Sequence, residues 1–135
     1  MYKFRKQQRR GAAAVEFAMV APVMFLILLG MMEFGRIMMI QHVLTMASRE
    51  GAREAILLGA SQSSVESTIT DYTDGIIPSE NLIISISSDP QSAHAGDLIT
   101  ASVSTPVSAI SAFGAKWFDG SVVAGTTTMR KEGID

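Results

Sequence analysis

The sequence predicts an α+β chain in which one long N-terminal helix, over about residues 12–58, is packed by a small second helix and a small antiparallel sheet. Three observations predict it. Residues 11–32 form an apolar run that holds a single charge, Glu16. Apolar and small residues at helical spacing carry on from that run as far as Leu58. Beyond Ser61 the composition turns to Ser, Thr, Gly and Asp, with three short runs of strand-like alternation.

The long helix divides into two halves. At about 1.5 Å per residue, the 22 residues from Gly11 to Met32 span roughly 33 Å, close to the ~30 Å of a bilayer's hydrocarbon core. The charge-free part, 17–32, is shorter; the Ala-rich lead-in and the apolar residues 37–40 complete it. Pro22 is tolerated in a membrane helix where neighbours cover the freed carbonyl, and it predicts a kink near residues 18–22. Lys3, Arg5, Lys6, Arg9 and Arg10 precede the run with no acid among them. The positive-inside rule therefore sets residues 1–10 in the cytoplasm and 60–135 outside. A conventional cleaved secretory signal needs a small-x-small site after its apolar run. Here Met31, Met32, Glu33, Phe34, Gly35 and Arg36 stand in that place.

Past the run, Ile37, Ile40, Leu44, Ala47, Gly51, Ala55 and Leu58 recur at steps of three and four, an amphipathic stripe with small residues in its later half. Arg36, Arg49, Glu50, Arg53 and Glu54 fall largely off it, and Glu50 and Arg53 are spaced to pair at i,i+3. Gly59 suits the residue that closes the helix, which is then about 70 Å long.

Ser61 or Ser63 caps a short second helix over 64–74, with Val65, Ile69 and Tyr72 inward, ended by Gly75 and Pro78. Three strands follow, at 82–87, 98–106 and 121–130. The second sets Ile99, Ala101, Val103 and Thr105 on one face. Asp89-Pro90 and Ala95-Gly96-Asp97 mark the first connection. The second connection, 107–120, carries Phe113, Trp117 and Phe118, and the last two are expected to pack in the core. The sheet is expected to lie on the second half of the long helix.

Composition narrows the function. The formal net charge is −2, yet residues 1–11 hold five of the eleven basic side chains and none of the thirteen acids. The remainder is acidic, which argues against nucleic-acid binding. The absence of cysteine excludes disulfides, thiolate metal sites and cysteine nucleophiles. His42 and His94 are isolated, and no Ser/His/Asp set, paired-carboxylate motif, metal-ligand spacing or phosphate loop appears. No catalytic residue, cofactor or metal is therefore expected, and the chain is not read as an enzyme.

The informative constellation is Arg9-Arg10-Gly11-Ala12-Ala13-Ala14-Val15-Glu16-Phe17. It resembles the cleavage region of type IV pilin precursors, and the Glu-Phe pair looks like the version used by Flp/Tad pilus systems. Glu33-Phe34-Gly35-Arg36, then Ala47-Ser48-Arg49-Glu50-Gly51-Ala52-Arg53, then Thr126 to Glu132 extend the match. Together these segments resemble the TadE-like family, densely over residues 9–59 and loosely beyond, with a TadF-like sibling as the nearest variant.

The resemblance implies a type IV pilin-like fold and a minor pilin or pseudopilin of the tight-adherence system, acting in pilus biogenesis, adherence and biofilm formation. It implies cleavage by a prepilin peptidase between Gly11 and Ala12, and roles in recognition and assembly for Glu16 and Phe17. Residues 1–11 become a cytoplasmic leader, 12–36 the transmembrane half of the helix, and 37–135 a pilin-like periplasmic domain on a single-pass inner-membrane anchor. The implied partners are the inner membrane, the peptidase, other pilins and the Tad assembly platform. Arg49, Glu50, Arg53 and Glu54 form either a solvated helix face or a docking face. The alternative is an uncleaved, membrane-anchored periplasmic binding or scaffold protein.

The chemistry of Glu16 bears on that choice. A carboxylate in an apolar segment costs a few kcal/mol unless it is paired. Cleavage after Gly11 creates an α-amine one helical turn away, so Glu16 can pair with its own amine or a neighbour's. The plainer reading is that Glu16 lies near the headgroups and snorkels.

Overall fold

The computed structural model describes residues 4–113 and 120–133, with side chains from Gly11 onward. The chain forms two compact units, 1–35 and 36–135. It is an α+β protein: a long helix α1 (Phe4–Ala55), a short helix α2 (Gln62–Thr73), strands β1 (Ile83–Ile86) and β2 (Leu98–Pro106), one turn of helix α3 (Val107–Ile110), and strand β3 (Val122–Arg130).

The first unit is the apolar part of α1. The helix starts before the expected residue 12, because residues 4–10 are rich in Lys, Arg and Gln, all good helix formers. It is helical straight through Pro22. Val15, Phe17, Phe25 and Leu26 all stand exposed, as do the other large apolar side chains from Val15 to Met32. A helix apolar all round, with no protein packed on it, calls for an apolar surrounding. Among the described residues it is the one helix long and apolar enough to cross a membrane.

In the second unit α1 turns amphipathic. Ile40, Leu44, Ala47, Gly51 and Ala55 are buried and Ile37 is half-buried, as their spacing predicts. Leu58 is exposed, against expectation: helix ends at Ala55, so the 3.6-residue period no longer governs position 58. Ser48 and Ala52 join the buried face. Gly59 closes the turn with φ +80°, a left-handed value that suits a residue without Cβ.

Ser61 caps α2: its hydroxyl accepts from the N–H of Ser64 at 3.1 Å, and the Ser64 hydroxyl accepts from the N–H of Ser61. Val65 and Ile69 point inward, but Tyr72 is exposed and Thr73 is buried instead. Thr73 satisfies its hydroxyl within the helix, donating to the carbonyls of Ile69 and Thr70, whereas a buried phenol would need a partner further off. Gly51 makes the approach of α1 to α2 possible, because a Cβ there would come within 2.5 Å of Ile69 Cδ1.

The sheet is antiparallel in the order β1-β2-β3. β2 has the expected limits and buries Ile99, Ala101, Val103 and Thr105. Ile99 and Val103 close the core with Ile40 and Leu44 of α1, Ile69 of α2 and Val123 of β3. Thr105 Oγ1 is buried with no hydrogen-bond partner among the described residues. The second connection contains α3, which no periodicity announced. Phe113 in it is exposed, and Trp117 and Phe118 lie outside the described residues.

β3 lies directly on α1. Its Gly125 passes so close that a Cβ would strike the main chain at Leu44 and Thr45. Gln41 Nε2 donates to the Ala124 carbonyl at 2.7 Å, and the hydroxyls of Ser48 and Thr127 are 2.9 Å apart. At the far end Lys131 is buried, and its Nζ donates to the carbonyls of Ala55, Leu57 and Pro90 at 3.1, 2.8 and 2.9 Å. The Ala55 carbonyl has no other donor among the described residues and lies at the end of α1, where a cation also meets the negative end of the helix dipole.

Candidate functional site

The residues around the predicted cleavage bond lie on the exposed, apolar part of α1. Gly11, Ala12, Glu16 and Phe17 are all exposed, and the Gly11–Ala12 bond lies inside the helix. Nothing in the fold requires glycine at position 11. A Cβ there would meet no atom within 4 Å, and its φ is not in the left-handed range. Gly51 and Gly125 differ, since packing demands them. A glycine costs a helix roughly 1 kcal/mol relative to alanine, so Gly11 is a point where α1 opens with least effort. Gly30 and Gly35 share this lack of internal constraint.

Glu16 sits one turn past Ala12 on the same helix. Among the described residues it has no ion-pair partner; the salt bridges there are Glu50–Arg53 and His94–Asp97. This end presents an exposed carboxylate on a broad apolar surface. Glu33 is buried while Phe34 beside it is exposed.

The second predicted set belongs to the other unit. Arg49 and Arg53 are exposed, and Glu50 and Glu54 are half-buried. Glu50 Oε2 and Arg53 Nη1 are 3.7 Å apart, the pair that the spacing predicts. Arg49 Nη1 lies 3.9 Å from Met46 Sδ. Arg49 and Arg53 lie off the buried stripe of Leu44, Ala47, Gly51 and Ala55, and the half-buried Glu50 and Glu54 flank it. Among the described residues no group of three or more His, Asp or Glu side chains is placed to hold a metal ion.

Sequence reasoning missed Lys131. The signal was present: extending the β3 alternation by one step puts residue 131 on the same inner face as Val123 and Gly125. A lysine's rarity in cores hid it.

A single exposed apolar helix joined to a small α+β unit is compatible with a single-pass membrane anchor. The family model described as TadE-like protein matches residues 11–53, the stretch that holds Gly11, Ala12, Glu16 and Phe17 and all of the second set but Glu54. That match points to a Tad pilus-associated protein, a structural and non-enzymatic kind. No curated protein and no solved structure gives a significant match.

Proposed function

We propose that this chain is a minor pilin or pseudopilin of a Flp/Tad pilus, cut by a prepilin peptidase after Gly11 and acting in pilus biogenesis, adherence and biofilm formation. Residues 1–11 are the cytoplasmic leader, 12–36 cross the inner membrane, and 37–135 form the periplasmic domain. The observation that carries this reading is Gly11, a glycine the fold does not need, directly before the small residues that lead to Glu16. A side chain there would meet the peptidase rather than this protein. Arg49, Glu50, Arg53 and Glu54 then lie on the periplasmic part of α1, available to the assembly platform or to other pilins.

The test is Gly11→Val in cells that contain the peptidase. The variant is expected to fold and insert, to resist cleavage, and to keep its first 11 residues, as read by N-terminal sequencing beside the wild type. An intact N-terminus in the wild type itself would instead support an uncleaved membrane-anchored scaffold.

A further inference from the structure

Among the described residues, the β1 edge and the middle of the β3 edge are open, and they match each other. The bonds that flank the ladder set its phase: Ser87 N–H donates to the Thr100 carbonyl, Lys131 N–H to Asp97, and Val107 N–H to Ser121. Alternate residues therefore turn their main-chain groups outward, Ile84 and Ile86 on β1 and the even-numbered residues on β3. α1 closes the two ends of the β3 edge. Gln41 takes the Ala124 carbonyl, and Glu132 N–H donates to the Ile56 carbonyl. Between them the outward groups of Thr126, Thr128 and Arg130 have no partner among the described residues. Neither β1 nor residues 126–129 of β3 carry a proline or a charge of the kind natural edges use against pairing; the inward Lys131 lies just beyond the window.

We propose that this window on β3 takes the β1 edge of a second copy of the chain, in parallel. With Ile84 opposite Thr127 and Ile86 opposite Met129, every outward main-chain group of Ile84, Ile86 and Thr128 finds a partner, as do the Thr126 carbonyl and the Arg130 N–H. Ile84 N–H donates to the Thr126 carbonyl, and Thr128 N–H to the Ile84 carbonyl. Ile86 N–H donates to the Thr128 carbonyl, and Arg130 N–H to the Ile86 carbonyl. The faces agree as well, since Ile84, Ile86, Thr127 and Met129 are all half-buried residues of the inner face.

The anchor decides between a second copy's β1 and its β3, and this step rests on reading 12–36 as a bilayer span. Within the second unit α1 and β3 run side by side in one direction: Gln41 meets Ala124, Ser48 meets Thr127, and Ala55 meets Lys131. A closed β3–β3 pair is antiparallel, so it sets the two Arg36 ends at opposite ends of the assembly. Two chains anchored in one membrane by that end cannot form it. β1 and β3 both run antiparallel to β2, so adding β1 of the next copy to β3 keeps every α1 in the same direction. The contact is head-to-tail and extends rather than closes.

The chain has no cysteine, so disulfides report the pairing directly. In full-length chains in native membranes, Ser85→Cys on one tagged copy and Thr128→Cys on another are expected to form an oxidised dimer, because 85 stands opposite 128 across the junction. Within one chain β2 separates these positions by about 10 Å, beyond the ~7 Å a disulfide can span. Both substitutions in one chain are therefore expected to give a ladder of dimers and higher species. Both side chains are exposed. Thr100→Cys with Thr128→Cys, whose hydroxyls lie 2.8 Å apart in the fold, shows that the oxidant reaches this face of a folded chain. A formed 100–128 bond without the 85–128 dimer overturns the proposal. A Thr128→Cys chain that links to itself, or links only to a different pilin, overturns it too. Alkaline carbonate extraction reads the anchor separately: a released chain sinks the anchor, whereas a retained chain without the dimer sinks only the strand pairing.

Discussion

Two buried polar side chains of the second unit have opposite consequences. Lys131 Nζ serves three carbonyls, and two of them, those of Ala55 and Pro90, have no other donor among the described residues, so its charge is costly to bury but costlier to remove. Lys131→Met keeps the length of the side chain and leaves those carbonyls dry. It is expected to lower stability by about 3 kcal/mol, read as a drop in the urea midpoint of the detergent-solubilised chain. Thr105 is the reverse case. Its hydroxyl is buried without a partner among the described residues, while its methyl packs like that of valine. Thr105→Val removes the unsatisfied group at almost constant shape and is expected to raise stability by about 1 kcal/mol. A drop in the melting temperature of Thr105→Val would show that the hydroxyl has a partner.

At the scale of elements, the fold depends on two close approaches made by glycine. At Gly125 an added Cβ strikes helix backbone, which cannot rotate away. At Gly51 it meets the tip of Ile69, which can change rotamer. Gly125→Ala is therefore expected to cost about 3 kcal/mol or more and Gly51→Ala about 1 kcal/mol, compared in the same denaturant series. Equal losses would mean that α1 and β3 separate as freely as a side chain turns. This asymmetry marks the limit of what the sequence carries. β2 was legible to its last residue, because strict alternation and turn residues at both ends leave one register. The buried stripe of α1 and the cap of α2 were legible for the same kind of reason, since period and capping chemistry are local. Which glycine faces a backbone, why Tyr72 loses to Thr73, and where Lys131 goes all depend on contacts between segments distant in sequence. α3 is too short to show a period. No contact in the fold bears on Gly11, so the reading of the segment around it and Glu16 rests on the motif alone.

On the proposed reading, the decisive charge for the whole molecule is Glu16. Pairs between membrane helices are worth on the order of 1–2 kcal/mol or less, which is modest, but such a pair fixes the axial stagger of one helix on the next. Glu16→Ala is expected to insert normally, since losing a charge eases insertion. It is also expected to be cleaved at least in part, because the bond at Gly11 is untouched, and to fail in assembly. Cleavage, co-purification with other pilins and surface adhesion are measured in a deletion strain. Normal adhesion together with normal co-purification would make Glu16 a tolerated interfacial residue. A different consequence follows from the way β3 lies on α1. Gln41 and Ala124 are 83 residues apart in the chain, and Ala55 and Lys131 are 76 apart. At a synthesis rate of about 5–20 residues per second, several seconds pass between the appearance of Leu44 and that of the strand that covers it. Throughout that interval the helix offers Ile40 and Leu44 to any holdase that meets it, and folding must then close one of its longest loops late.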